Sequence, residues 1–308
     1  MSRRLRGRVP GEGRERPPTA LRRRVRAMRE RFVFQREMRL RLISAAILIP
    51  TVLVLTYVHE LSFGLVVLVT GALVLHEWLR MIGAGDMKPL RWVGWLGLAV
   101  VAGVAFTQPP PVACAALLAA VVAAAVVVWG SRLDVAVRWV AAGIVYAGLA
   151  IVSLIELRKG ADGFGAVIFV FLVAWASDTA AFLVGRRVGG PRLWRSVSPS
   201  KTWSGALGGL VAGTLFGAIV ALSLDVPPSG WVILAAAVVA VAAQAGDLLE
   251  SAAKRRFSIK DTGTIIPGHG GVMDRVDGLI VASFAALVLG SIVGDGTASA
   301  GLLALMGR

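Results

Sequence analysis

The sequence predicts an all-α, polytopic integral membrane protein of about nine transmembrane helices, and three observations carry that prediction. The 308 residues are 56% hydrophobic and 17% charged, where a soluble domain carries roughly a quarter charged residues. The apolar residues fall in runs long enough to cross a hydrocarbon core, which takes about 20 residues per helix. Strand-type alternation is absent, which argues against a transmembrane β-barrel.

Residues 1–41 precede the first apolar run and are dominated by arginine, from Arg3, Arg4, Arg6 and Arg8 to Arg22, Arg23, Arg24 and Arg26. Only Glu12, Glu15, Glu30 and Glu37 oppose them. No RNA-binding fold accompanies this stretch, so the expected partner is anionic lipid headgroups, with no nucleic acid. The tail is expected to be disordered. A cleavable signal peptide is not expected, because the basic stretch is too long and no small-residue cleavage site follows the first apolar run.

Nine apolar segments follow, near 42–58, 61–79, 92–107, 111–129, 139–157, 164–185, 205–224, 230–248 and 278–294. They divide into N-terminal transmembrane helices over 42–160, a catalytic transmembrane region over 161–294 and a short C-terminal tail over 295–308. Cations orient them, since cytoplasmic loops carry an excess of Lys and Arg. Counting alternately from a cytoplasmic N-terminus, the inside loops are 83–91, 130–138, 186–203 and 249–277. These hold Lys88 and Arg91, then Arg132 and Arg138, then Arg186, Arg187, Arg192, Arg195 and Lys201, and finally Lys254, Arg255, Arg256, Lys260 and Arg275. The C-terminus is therefore expected outside, and the protein in the cell (inner or plasma) membrane. Both large polar loops then face the cytoplasm, where nucleotides are available.

Cys114, the only cysteine, sits in an Ala/Val run and is expected to be buried and inert; it can form no internal disulfide. The tryptophans cluster near segment ends, as an interfacial belt does. His76 and Glu77, with no second histidine at helical spacing, are expected to be an interfacial pair.

Chemistry concentrates in the last third of the chain. At the end of the eighth segment, Asp247, Glu250, Ser251 and Lys254 fall on one face if the helix continues. The loop then reads KDTGTIIPGHGGVMDRVDG, where Gly268, Gly270 and Gly271 around His269 allow close backbone approach to a phosphate. Asp274 and Asp277 stand three apart at the start of the last helix, so both can face one site. Carboxylates from different helices, such as Asp247 and Asp274, suit Mg²⁺, which keeps its other positions for water and substrate phosphates. A second, monovalent or divalent cation is left open. Lys254, Arg255, Lys260 and Arg275 supply cations for phosphate oxygens. Asp178 lies well inside apolar sequence and is a functional candidate by that placement. Ser198, Ser200, Lys201 and Thr202 precede a glycine-rich helix start, a plausible anion site that lacks the P-loop spacing.

Together these residues resemble the phosphatidate cytidylyltransferase (CDP-diacylglycerol synthase) family. The resemblance rests on Ser251, Lys254-Arg255, Lys260-Asp261, His269-Gly270-Gly271 and Asp274-Arg275-Val276-Asp277, with SDTAAFLVGR at 177–186, SPSKTW at 198–203 and GD at 246–247. It is strong over roughly 175–280 and only topological before that. Ser204 departs from it, standing where many relatives place an acidic or amide residue. The resemblance implies a nucleotidyltransferase that joins CTP and phosphatidate into CDP-diacylglycerol and pyrophosphate. It assigns Asp247 and Asp274 to the metal, with Asp277 and Asp178 as further candidates. Lys201, Lys254, Arg255, Lys260 and Arg275 are implied to neutralise phosphates, and His269 to orient a phosphate or a metal-bound water. Glu250 lies outside the motif, and its removal is expected to cost far less than that of Asp247. A CTP-dependent lipid kinase of the dolichol kind and a membrane transporter are the rival readings. The oligomeric state is left open, a homodimer included.

Overall fold

The computed structural model describes residues 40, 43–130, 137–227, 229–266, 270–293 and 296–307. The expectations for the basic tail, Arg132, Gly268 and His269 lie outside these residues. The protein is a helical membrane bundle. Its helices are α1 (Ile43–Val58), α2 (Glu60–Met81), α3 (Lys88–Thr107), α4 (Pro110–Trp129), α5 (Val137–Arg158), α6 (Gly163–Val188), α7 (Trp203–Ser223), α8 (Gly230–Arg256), α9 (Met273–Val293) and α10 (Ala298–Met306). Each of the nine apolar segments falls on one of α1–α9. Among the described residues, α2–α9 are long and apolar enough to cross a membrane, and α1 is shorter.

Local chemistry sets where the helices start. The His59 ring accepts the Leu61 N–H, and Glu60 stands in the first turn of α2. Thr202 caps α7 through Gly205 N–H, Ser229 caps α8 through Val232 N–H, and Thr297 caps α10 through Ala300 N–H. Prolines open α3 and α4, where a missing N–H costs nothing. Lys254, Arg255 and Arg256 end α8, at the negative end of its dipole.

Small residues set how closely the helices approach. Along α7, Gly205, Gly209, Gly213 and Gly217 lie on the buried side. A Cβ on Gly209 would stand 2.7 Å from the Ser177 carbonyl of α6, and one on Gly217 2.5 Å from the Ala236 Cβ of α8. In lipid no hydrophobic force joins helices, so such backbone-to-backbone packing supplies the cohesion. Between α8 and α9 the same device appears once more. A Cβ on Gly246 would lie 2.5 Å from the Asp277 carbonyl, and one on Gly278 2.9 Å from the Ala243 carbonyl.

Several expectations change. The joint expected over 249–277 is helical at both ends, since α8 runs on to Arg256 and α9 begins at Met273, which leaves 257–272 between them. A helix whose last turns leave the apolar layer keeps its backbone hydrogen bonds, so hydropathy alone ends it too early. The 186–203 joint contains an antiparallel hairpin, β1 (Arg192–Trp194) with β2 (Ser198–Thr202), which the sequence did not suggest. The C-terminal tail holds α10, folded back so that the Ala298 carbonyl would meet any Cβ on Gly290 at 2.1 Å. Cys114 is exposed on α4, not buried, because an apolar run in a membrane helix faces lipid as readily as protein. Trp78 departs from the belt: it is 6% exposed, and its indole N–H donates to the Trp139 carbonyl at 2.8 Å. Glu77 is likewise no interfacial residue, being 1% exposed.

Candidate active site

The close approach of α8 and α9 at Gly246 and Gly278 brings their acidic residues together. One carboxylate oxygen each from Asp247, Glu250 and Asp277 lies within 4.8 Å of the others. Three like charges so close repel unless a cation stands among them. Lys201 from β2 reaches Asp247 at 2.5 Å, and Lys254 reaches Glu250 at 2.7 Å. The second oxygen of Glu250, Oε1, is buried and has no hydrogen-bond partner. A buried carboxylate oxygen without a donor fits a metal ligand, so this trio suits a divalent ion.

Asp274 lies outside this trio, although its carboxyl meets that of Glu250. Its Oδ1 accepts from the Lys254 ammonium at 2.8 Å. Its Oδ2 accepts the backbone N–H groups of Thr262 at 3.1 Å and Gly271 at 3.2 Å. Lys254 thus bridges Asp274 to Glu250, and Asp274 ties the loop before α9 to the helix. A Cβ on Gly271 would lie 2.2 Å from the Thr262 hydroxyl, so only glycine fits that turn. Gly270 takes φ 88 and pairs with Ile266 in an isolated antiparallel bridge.

Beside the acidic trio, α6, β2, α7, α8 and α9 enclose a cavity of about 580 Å³. Asp178, Lys201, Thr202, Asp247, Arg275 and Asp277 line it. Apolar side chains, Trp175 and Phe182 among them, line the same space. Its lining is therefore mixed, highly charged groups beside apolar side chains. The hairpin delivers Lys201 and Thr202 to this space. Gly189 and Gly190, at φ 67 and 104, turn the chain out of α6, and Arg192 holds the strands together by donating to the Ser200 carbonyl at 3.1 Å. Ser204 adds to that base, its hydroxyl donating to the Gly189 carbonyl and standing 3.0 Å from the Thr202 hydroxyl.

The remaining sequence candidates lie further out. Ser198 is buried on β2. Arg255 is exposed and donates to the Val197 carbonyl of the hairpin at 3.3 Å and to the Ile259 carbonyl at 3.2 Å. Lys260 is exposed. The structure therefore gathers Asp247, Asp277, Asp178, Lys201, Thr202 and Arg275 about one space, and sets Asp274, Ser198, Arg255 and Lys260 around it. Two residues were missed as members. Glu250 had a signal, its i+3 spacing from Asp247. Glu77 had none, because its partners lie far along the chain: its carboxylate accepts the N–H groups of Val272 at 3.0 Å and Met273 at 2.8 Å.

Residues 39–293 match the model of the cytidylyltransferase family. Phosphatidate cytidylyltransferases of Brucella suis biovar 1 (strain 1330) and Brucella melitensis biotype 1 are each 38% identical over 259 residues, covering 83% of this chain and 94% of theirs. The phosphatidate cytidylyltransferase of Staphylococcus saprophyticus is 38% identical over 135 residues, 44% of this chain and 51% of its own.

Proposed function

We infer that this chain, which belongs to the cytidylyltransferase family, joins CTP and phosphatidate into CDP-diacylglycerol and releases pyrophosphate. The observation that carries this reading is the cavity of about 580 Å³, whose lining combines the cations Lys201 and Arg275 and the carboxylates Asp247 and Asp277 with apolar side chains such as Trp175 and Phe182. A lipid phosphate and a nucleoside triphosphate require that pairing of polyanion site with hydrocarbon surface.

In the reaction a phosphate oxygen of phosphatidate attacks the α-phosphorus of CTP, and the bond from that phosphorus to the β-phosphate oxygen breaks. The attacking phosphate is already ionised, so the chain's work is to neutralise charge and align two polyanions. Lys201 and Arg275, which line the cavity, would hold phosphate oxygens. Asp247, Glu250 and Asp277 would hold the divalent ion, which we propose is Mg²⁺ and which would draw charge from the phosphates when bound. This ligand set keeps Asp247 from the sequence reading and puts Glu250 and Asp277 beside it. Asp274 then serves to fix Lys254 and the loop. The Trp175 and Phe182 side would receive the lipid's glycerol and upper acyl chains. We further propose that the N-terminus is cytoplasmic, that the site opens to that side, and that the host membrane is the bacterial inner membrane.

Incubating the purified protein with labelled CTP, phosphatidate and Mg²⁺ tests the reading. Labelled CDP-diacylglycerol with one pyrophosphate per turnover is expected, with UTP and GTP turned over poorly. CDP and a phosphorylated lipid alcohol would instead mark a CTP-dependent lipid kinase.

A further inference from the structure

We propose that Glu77 is a positioning residue for cytidylyl transfer: from α2, its carboxylate clamps the start of α9 and so sets where Asp274, Arg275 and Asp277 stand. This rests on the function proposed above. Among the described residues, no other carboxylate of the N-terminal helices is so placed. Glu77 is 1% exposed, and both its oxygens are engaged by the segment that leads into α9. Oε1 accepts Val272 N–H at 3.0 Å, and Oε2 accepts Met273 N–H at 2.8 Å. These amides open α9, where backbone donors have no partner within the helix, and a carboxylate there also meets the positive end of the helix dipole.

The loop is shaped to admit this carboxylate. A Cβ on Gly263 would stand 2.6 Å from Glu77 Oε1, and one on Gly271 2.8 Å from Oε2. Thr262 then links the clamp to the site. Its hydroxyl lies 3.1 Å from Glu77 Oε2 and 3.0 Å from Asp274 Oδ2, with one proton to serve both. From Asp274 the polar path runs through Lys254 to Glu250, at 2.8 and 2.7 Å. A second contact from the same half of the bundle points the same way: Trp78, next to Glu77, packs on Tyr146, whose hydroxyl donates to the Asp277 carbonyl at 3.4 Å. With the Thr262 hydroxyl on Glu77 and its backbone N–H on Asp274, the bonded path from α2 reaches the acidic trio without a break, and hydrogen bonds so connected reinforce one another.

The test is Glu77→Gln in the full chain, purified in detergent and collected as a monodisperse peak. Gln keeps the shape and turns one acceptor into a donor facing backbone N–H groups. The expected result is a fall in kcat of about 100-fold, the scale of a 1 Å misalignment, with the KM for CTP little changed. Amide hydrogen exchange at Val272 and Met273 should quicken. Arg158→Met, which removes a buried cation bonded to the Thr56 carbonyl at the other end of the bundle, should lower thermal stability and leave kcat per folded molecule intact. Folded Glu77→Gln with wild-type kcat overturns the proposal, whatever its melting temperature. Where Glu77→Gln yields no folded protein, Thr262→Val decides: it removes the hydroxyl that joins Glu77 to Asp274 while the backbone N–H stays on Asp274, and a loss of about tenfold in kcat, the equivalent of one hydrogen bond, is expected. Wild-type kcat in Thr262→Val overturns the proposal equally. A wild-type protein that makes no CDP-diacylglycerol refutes the assigned reaction instead, and the exchange rates still report on the clamp.

Discussion

Lys254 holds two carboxylates on one ammonium, Glu250 at 2.7 Å and Asp274 at 2.8 Å, and this divides the acidic residues of the site by task. Asp274 is saturated with donors, whereas Glu250 keeps a buried oxygen without one. The expected outcome of mutation follows from that difference. Asp247→Asn and Asp277→Asn should each lower kcat by about 10²–10³-fold, the rate equivalent of the several kcal/mol a bound metal contributes. Mg²⁺ titration should show weaker saturation in both. The double variant should be little worse than either single, since groups acting as one unit are not additive. Glu250→Gln should join them, against the expectation from its place outside the motif. Asp274→Asn should instead show itself first as a fall in thermal stability, because it removes the charge that orders Thr262, Gly271 and Lys254. Melting curves and Mg²⁺ titrations of the four single variants separate the two groups. The sequence made Asp247 legible through charge at the end of an apolar run. It ranked Asp274 ahead of Asp277 for the metal without sight of their neighbours, and three residues of separation on a helix turn two side chains toward nearby but different ones.

At the scale of the element, the site depends on how near α8 and α9 come. Gly246→Val would push a side chain into the Asp277 carbonyl, 2.5 Å from where its Cβ must go. Such overpacking costs about 1–3 kcal/mol, and by parting Asp247 from Asp277 it should lower kcat about 100-fold. Gly103→Ala, where nothing lies within 4 Å of the added Cβ, should leave activity unchanged. Activity per folded molecule in the two variants is the measurement. Helices α1–α9 were readable from hydropathy, and the start of α7 from the residues through Thr202 that precede it. The hairpin was not readable. Its two short strands are held by each other and by Arg192 on the Ser200 carbonyl, and no alternation of residues marks them. The helix ends at Arg256 and Met273 lay outside the apolar segments, since charged turns that leave the apolar layer look like loop, and only the helical spacing of Asp247 with Lys254 and of Asp274 with Asp277 pointed to them.

For the whole molecule, the loop cations predict that the termini lie on opposite sides of the membrane. Reporter fusions should place the N-terminus in the cytoplasm and the C-terminus outside; both on one side would break the count. Removing residues 1–35 should spare turnover in detergent and weaken association with anionic vesicles, at about 1 kcal/mol per cation near the surface. Vesicle sedimentation with and without the segment measures it. The sequence by itself determined the class of molecule, a multi-pass helical bundle with its polar chemistry in the last third, and the motifs that place it in its family. These are local properties, because crossing lipid demands long apolar helices whatever their neighbours. Only the tertiary structure decided which acidic residues meet, that β2 brings Lys201 to Asp247, and that Glu77 of α2 holds the start of α9. Those contacts join residues far apart in the chain, through glycine-lined approaches between helices, and a carboxylate's role is set by the donors that surround it in space.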